Sequence, residues 1–182
     1  MLLSLGAFVI LIFVRQHAIT QAESAAVFHA RFVVRSVVGE RLAPADFAVR
    51  VDAKRAALLD RLMNRDVLLG DTLSTALYAR DGRVTYASDR ALVGTTPPDA
   101  RTARSALDGT VMKIVSMMRV PGSDSPRKVL KVFVPVPFVG SSESAGVLQL
   151  AQDYEPIAHA GRQGLLPVVG ILQLVLRQIL TN

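Results

Sequence analysis

At Gly70 the hydrophobic period of the chain changes, and this limits the fold more than any other feature of the sequence. Before it, apolar residues recur about every 3.6 positions, the period of a helix with one buried face. After it they alternate, the period of a strand half-buried in a sheet. From Gln16 to Val38 there is no glycine or proline, and Ala22, Ala26, Phe28, Phe32, Val33 and Ser36 approximate the helical spacing. One long helix is predicted there. Gly39 and Ala43-Pro44 interrupt it, and Pro44 suits the first turn of a second helix from about Ala45 to Arg65. Phe47, Val51, Leu58, Leu59 and Leu62 would form the apolar stripe of that helix. Arg50, Lys54, Arg61 and Arg65 alternate with Asp52, Asp60 and Asp66 on the other side and read as a solvated face.

Beyond Gly70, Asp71 to Ala79 reads as a strand, Asp81-Gly82 as a tight hairpin turn and Arg83 to Ser88 as the returning strand. A loop follows, then a short helix from about Asp99 to Leu107, ended by Asp108-Gly109. Three more strands are predicted, Thr110 to Val120, Lys128 to Phe138 and Ala145 to Asp153, with Pro121 to Arg127 as a turn between the first two. The fold class is therefore α+β: a long N-terminal helix and a second helix packed on a five-stranded antiparallel sheet with one crossover. Strand order is not readable from the pattern.

The chain is 51% hydrophobic yet carries a net charge of +6, from 21 Lys+Arg against 15 Asp+Glu. The apolar excess lies at the two ends. Residues 1–14 hold no charge, but as a helix Leu2 to Val14 is only about 20 Å long, short of a full bilayer span. A signal-peptide core, an uncleaved signal anchor and a transmembrane helix lacking its first turns all fit. The anchor is preferred, because no Lys or Arg precedes the stretch and no small-x-small cleavage site follows it. Residues 164–180 form a second apolar stretch, with Pro167, Gly170 and Arg177. It reads as a membrane helix whose arginine snorkels to the interface, or as an amphipathic helix with Gln173 and Arg177 on one face. The expected organisation is an anchor at 1–14, one domain at 15–160 and the second apolar helix at 164–180.

Several function classes lose support. With no cysteine there is no thiol nucleophile or thiolate metal site. His17 and His29 lie about 120° apart on a helix, which disfavours a paired-histidine metal site. No phosphate-binding, dinucleotide-binding, serine-hydrolase or zinc-protease motif occurs, so neither an enzyme nor a cofactor is expected. Nucleic acid is not expected as a partner: the positive charge is scattered, and three Tyr with no Trp give little stacking surface.

The run from Leu77 to Gly94, with its Asp81-Gly82 turn, Tyr86-Ala87-Ser88-Asp89 strand end and Leu92-Val93-Gly94 loop, resembles the sensor segment of bacterial membrane receptors of the Cache type, also called PDC or PAS-like sensors. Further pieces follow in the family's order. These are Ala106-Leu107-Asp108-Gly109 before a strand, Val132 to Val136 inside the next, and Gly146 to Leu150 ahead of Tyr154-Glu155-Pro156-Ile157. The helix start Ala43-Pro44-Ala45-Asp46 also looks like the family, and the resemblance covers about residues 15 to 160. Two departures are Tyr78, where many relatives carry tryptophan, and the short turn at Pro121 to Arg127. The resemblance implies an extracytoplasmic domain held in the bacterial cytoplasmic membrane and feeding a histidine kinase, a diguanylate cyclase or phosphodiesterase, or a chemoreceptor.

In such domains ligands sit on one sheet face under the crossover loop and helix. Strand alternation groups Val84, Tyr86 and Ser88; Lys113, Val115 and Met117; and Lys131, Phe133 and Pro135. The candidate ligand-binding residues are therefore Tyr86, Ser88, Lys113, Lys131 and Phe133, with the two lysines holding a small anion by charge-assisted hydrogen bonds. The competing reading makes Tyr86 a core aromatic with a satisfied hydroxyl and leaves both lysines facing water. The function expected is an extracytoplasmic sensory module that passes a small-ligand signal through its membrane helices, as a homodimer formed along the first helix. The alternative is a ligand-free, membrane-tethered dimerisation or interaction domain.

Overall fold

The computed structural model describes residues 2–38, 40–48, 50–68, 70–120, 125–138 and 143–163. Helix α1 spans Leu2–Val33 and ends in a π-helical turn, Val34–Val38. Helices α2 (Ala45–Ala48) and α3 (Ala53–Asp66) follow, then strands β1 (Thr72–Tyr78) and β2 (Val84–Ala87) and a 3-10 turn at Arg90–Leu92. Helix α4 (Ala100–Ala106) precedes strands β3 (Met112–Met118), β4 (Arg127–Pro137) and β5 (Ser144–Asp153), and helix α5 covers Glu155–Gln163. The α+β class and all five predicted strands are thus present. Two compact units are distinguished: Met1–Ala25 with Glu155–Asn182, and Ala26–Tyr154.

Among the described residues no helix is long and apolar enough to cross a membrane. The expected anchor at 1–14 coincides with the start of α1, where no span is found. The expected second apolar helix at 164–180 lies outside the described residues.

Within the second unit, the inward face of α1 is Ala30 and Val33, continued by Val34, while Phe28 and Phe32 are 72% and 54% exposed. The predicted stripe put those two rings inside. Phe28 lies two residues, about 200° of helix rotation, from Ala30, so the two cannot share a face.

The single helix expected from Ala45 to Arg65 is two. Val51 N–H donates to the carbonyl of Thr85 (3.3 Å) and Asp52 Oδ1 accepts from Arg55 N–H (2.8 Å), so the chain leaves the helix to reach β2 and starts again with a new cap. The restart rotates the apolar stripe: Leu59 and Met63 are buried, and Leu58 is 43% exposed. Asp46, at 3% exposure, holds the two helices together. Arg55 donates to both of its carboxylate oxygens, Nε at 2.8 Å and Nη2 at 2.6 Å, and Ala43 N–H donates to Oδ2 (2.8 Å).

The sheet is antiparallel throughout, in the order β2-β1-β5-β4-β3. β5 is central, and Ser144 to Gln152 are all buried because both faces are covered there. Helix α2 covers one face at Gly146, where an added Cβ would lie 2.7 Å from Phe47 Cγ and 2.5 Å from the Tyr78 carbonyl oxygen. Helix α4 covers the other, packing Ala100, Ala103 and Ala106 against Ala76, Tyr78, Val84, Phe133 and Val147. The hairpin turn tucks under α4. Gly82 has φ +88°, and a Cβ there would stand 3.1 Å from Ala100 Cβ, so glycine is required for both backbone and space.

Candidate ligand-binding site

Register decides which of the five candidate residues meet. The β1–β2 ladder pairs Leu77 with Tyr86 but Tyr78 with Val84, so a bulge at Thr85 breaks simple alternation. Thr85 turns its hydroxyl to the Asp46 carbonyl (2.5 Å). Val84 therefore enters the core beneath α4, and Tyr86 faces α3. The expectation that Val84, Tyr86 and Ser88 share one face is corrected by this single extra residue. Ser88 is exposed and spends its hydroxyl on β1, accepting from Thr75 N–H at 3.0 Å.

The two lysines are likewise separated. Lys113 pairs with Val132 and Ile114 with Lys131, which places the lysines on opposite faces of the sheet. Lys113 is on the exposed side of the edge strand β3 with Val115 and Met117. It shares a face with Tyr86, but β2 and β3 are the two edges of the sheet, four strand spacings or about 19 Å apart. Of the five residues only Lys131 and Phe133 are brought together.

Those two lie on the face beneath α4 and gain two neighbours that alternation did not identify. Asp99 immediately precedes Ala100, the position from which aspartate usually caps a helix, yet its side chain makes no cap hydrogen bond. Instead Lys131 Nζ donates to Asp99 Oδ2 (2.6 Å) and the Tyr78 hydroxyl donates to Oδ1 (3.0 Å). The Lys131 and Asp99 side chains are 19% and 8% exposed. The Tyr78 ring meets Phe133 edge-on, with centroids 5.9 Å apart. Burial first, then the Asp99 charge, pushes the Tyr78 hydroxyl above the ordinary phenol range, so it acts as a hydrogen-bond donor. The result is a carboxylate held by an ammonium and a phenol on an apolar sheet face. Another carboxylate offered to the same two donors would make the same bonds.

Tyr86 belongs to a different site. Its hydroxyl donates to Asp60 Oδ1 (2.8 Å), Arg90 pairs with the same carboxylate, and the Arg90 guanidinium lies 5.0 Å above the Tyr86 ring. Asp60 had read as part of a solvated face, and Arg90 carried no expectation. Only the packing of α3 on β2 shows that they close over a tyrosine. Among the described residues no group of His, Asp or Glu is arranged to hold a metal ion.

The fold is shared with solved sensor domains. Across 85% of this chain and 63% of the other, it superposes with a TM-score of 0.55 and 13% identity on a domain assigned to a sensory box/GGDEF family protein from Vibrio parahaemolyticus. The extracellular domain of a protein assigned as the histidine kinase vpHK1S-Z8 gives a TM-score of 0.51 at 11% identity, over 85% of this chain and 60% of that one. In both cases the chain spans less than two thirds of its neighbour's length. No family model and no curated protein matches the sequence. The chain therefore has the fold of the sensor domains that its sequence resembles.

Proposed function

We propose that the chain is the extracytoplasmic sensory module of a bacterial transmembrane signalling receptor, and that it responds to a small anionic ligand on the sheet face beneath α4. The observation that carries this reading is Asp99, part-buried with its side chain 8% exposed, which forgoes capping α4 to pair with Lys131 and Tyr78 on a fold shared with solved sensor domains. A ligand carboxylate competes with Asp99 for those two donors. Once displaced, Asp99 frees the start of α4, and the ligand shifts the population between the two arrangements by its differential affinity. Transmission runs through the helices attached to the domain. Exposed Phe28 and Phe32, four residues apart on α1, offer a contact for a second copy, which is the homodimer this reading includes.

A ligand-free dimerisation module is the second reading. It is favoured by the close packing under α4, where Ala100, Ala103, Ala106 and Phe133 are all buried and Lys131 already has its counter-ion.

Because the chain has no cysteine, outward orientation is testable with one introduced thiol. Arg101 is exposed on α4, and Arg101→Cys in whole cells should react with a membrane-impermeant maleimide. Labelling that appears only after lysis would remove the sensory reading.

A further inference from the structure

Gln149 stands in the central strand β5, directly opposite Ala76 on β1 and Phe133 on β4, which puts its side chain on the sheet face beneath α4. The residue is 4% exposed, and its amide has no hydrogen-bond partner among the described residues. A primary amide brings two N–H donors and a carbonyl acceptor, and burying them unpaired opposes folding. An apolar side chain of similar size avoids that cost, so packing does not account for a glutamine there.

Its neighbours are those of the Lys131 site. Lys131 pairs with Ala151, two residues along β5, so lysine and glutamine are diagonal neighbours whose backbones lie about 7–8 Å apart. Tyr78 and Phe133 are on the strands either side of β5, and their rings meet edge-on across it. Ala76 and Ala151, beside the amide, end at Cβ. An ammonium and a phenol that hold a carboxylate thus stand a short carbon chain away from an unpaired amide.

We infer that Gln149 is a specificity-determining residue of this site and selects a short carboxylate that also bears a hydroxyl. The inference rests on the reading that an anion replaces Asp99 at Lys131 and Tyr78. With the carboxylate there, the ligand hydroxyl donates to Gln149 Oε1 and accepts from Nε2, whereas a plain alkyl chain leaves the amide as it was.

The probes are 3-hydroxybutyrate and butyrate, which differ by that hydroxyl, titrated calorimetrically into the full chain. The wild type should bind the hydroxy acid about tenfold more tightly, the effect of one neutral hydrogen bond. Gln149→Leu should bind the two alike at the wild-type affinity for butyrate, and its ligand-free form should unfold at a higher urea concentration, because no amide is stranded. Gln149→Met is a second apolar replacement should leucine not pack. Equal binding of the two acids by the wild type, a preference that survives in both variants, or ligand-free variants that are both less stable than the wild type would overturn the inference and leave the Lys131 reading standing. If neither acid binds, or both bind Lys131→Ala as they bind the wild type, the Lys131 reading fails and the inference falls with it.

Discussion

Replacing Asp99 by Asn, Lys131 by Met, and then both, tests whether the cluster beneath α4 is coupled as its geometry requires. Removing one partner of a buried ion pair costs about 3–5 kcal/mol, because the other charge stays desolvated. Here Lys131 keeps 19% of its side chain exposed, and an asparagine at 99 still offers an amide oxygen to Tyr78. Asp99→Asn should therefore cost about 2 kcal/mol. Lys131→Met leaves a carboxylate only 8% exposed with the phenol as its remaining donor, at about 2–3 kcal/mol. In the double variant no charge is stranded, so the total should be about 1–2 kcal/mol and the coupling about 2–4 kcal/mol. Urea unfolding of the four proteins, followed by far-UV circular dichroism and extrapolated linearly to water, gives these differences. Additivity within about 0.5 kcal/mol would refute the argument, since it would mean that neither group depends on the other for its burial.

Two further outcomes are expected. Gly146→Ala sets a methyl against the Phe47 ring and the Tyr78 carbonyl, and should destabilise the fold by about 3 kcal/mol in the same assay; a loss under about 0.5 kcal/mol would mean that α2 does not sit against β5. Burial raises the hydroxyls of Tyr78 and Tyr86 above the ordinary phenol range, so above about pH 10 the unfolded chain releases protons that the folded chain keeps. The stability they contribute is fully present below that pH and is lost as pH rises beyond it, through the raised values of the folded state. Absorbance at 295 nm should show both tyrosines ionising only with the loss of native circular dichroism, and ionisation near pH 10 in a native fold would contradict the assignment.

Local chemistry made the strands legible. Asp81-Gly82 has one cheap conformation, a tight turn, and Gly82 adopts the positive φ that such a turn needs. The change of period at Gly70 also held, because a half-buried strand and a half-buried helix expose different spacings. What failed was everything that depends on partners far along the chain. The bulge at Thr85 exists because its hydroxyl meets the carbonyl of Asp46, 39 residues away. That one displacement moved Tyr86 to the opposite face from Val84. The split of Lys113 from Lys131 needs the β3–β4 register, which alternation within each strand does not contain. Asp99 was visible as a helix start, but a cap aspartate and one drawn away by Lys131 look alike in sequence.

The central claim is that the Lys131 face takes an anionic ligand in place of Asp99. Thermal unfolding of the full chain in carboxylates and amino acids tests it most directly, with each variant read against its own ligand-free midpoint. At a hundred times its dissociation constant a ligand adds about 2.7 kcal/mol, and at about 2–4 °C per kcal/mol this raises the midpoint by about 5–10 °C. At least one compound should do so in the wild-type chain and lose the effect in Lys131→Ala. No shift with any of them, or a shift that survives in Lys131→Ala, would contradict the claim and leave the ligand-free module as the reading.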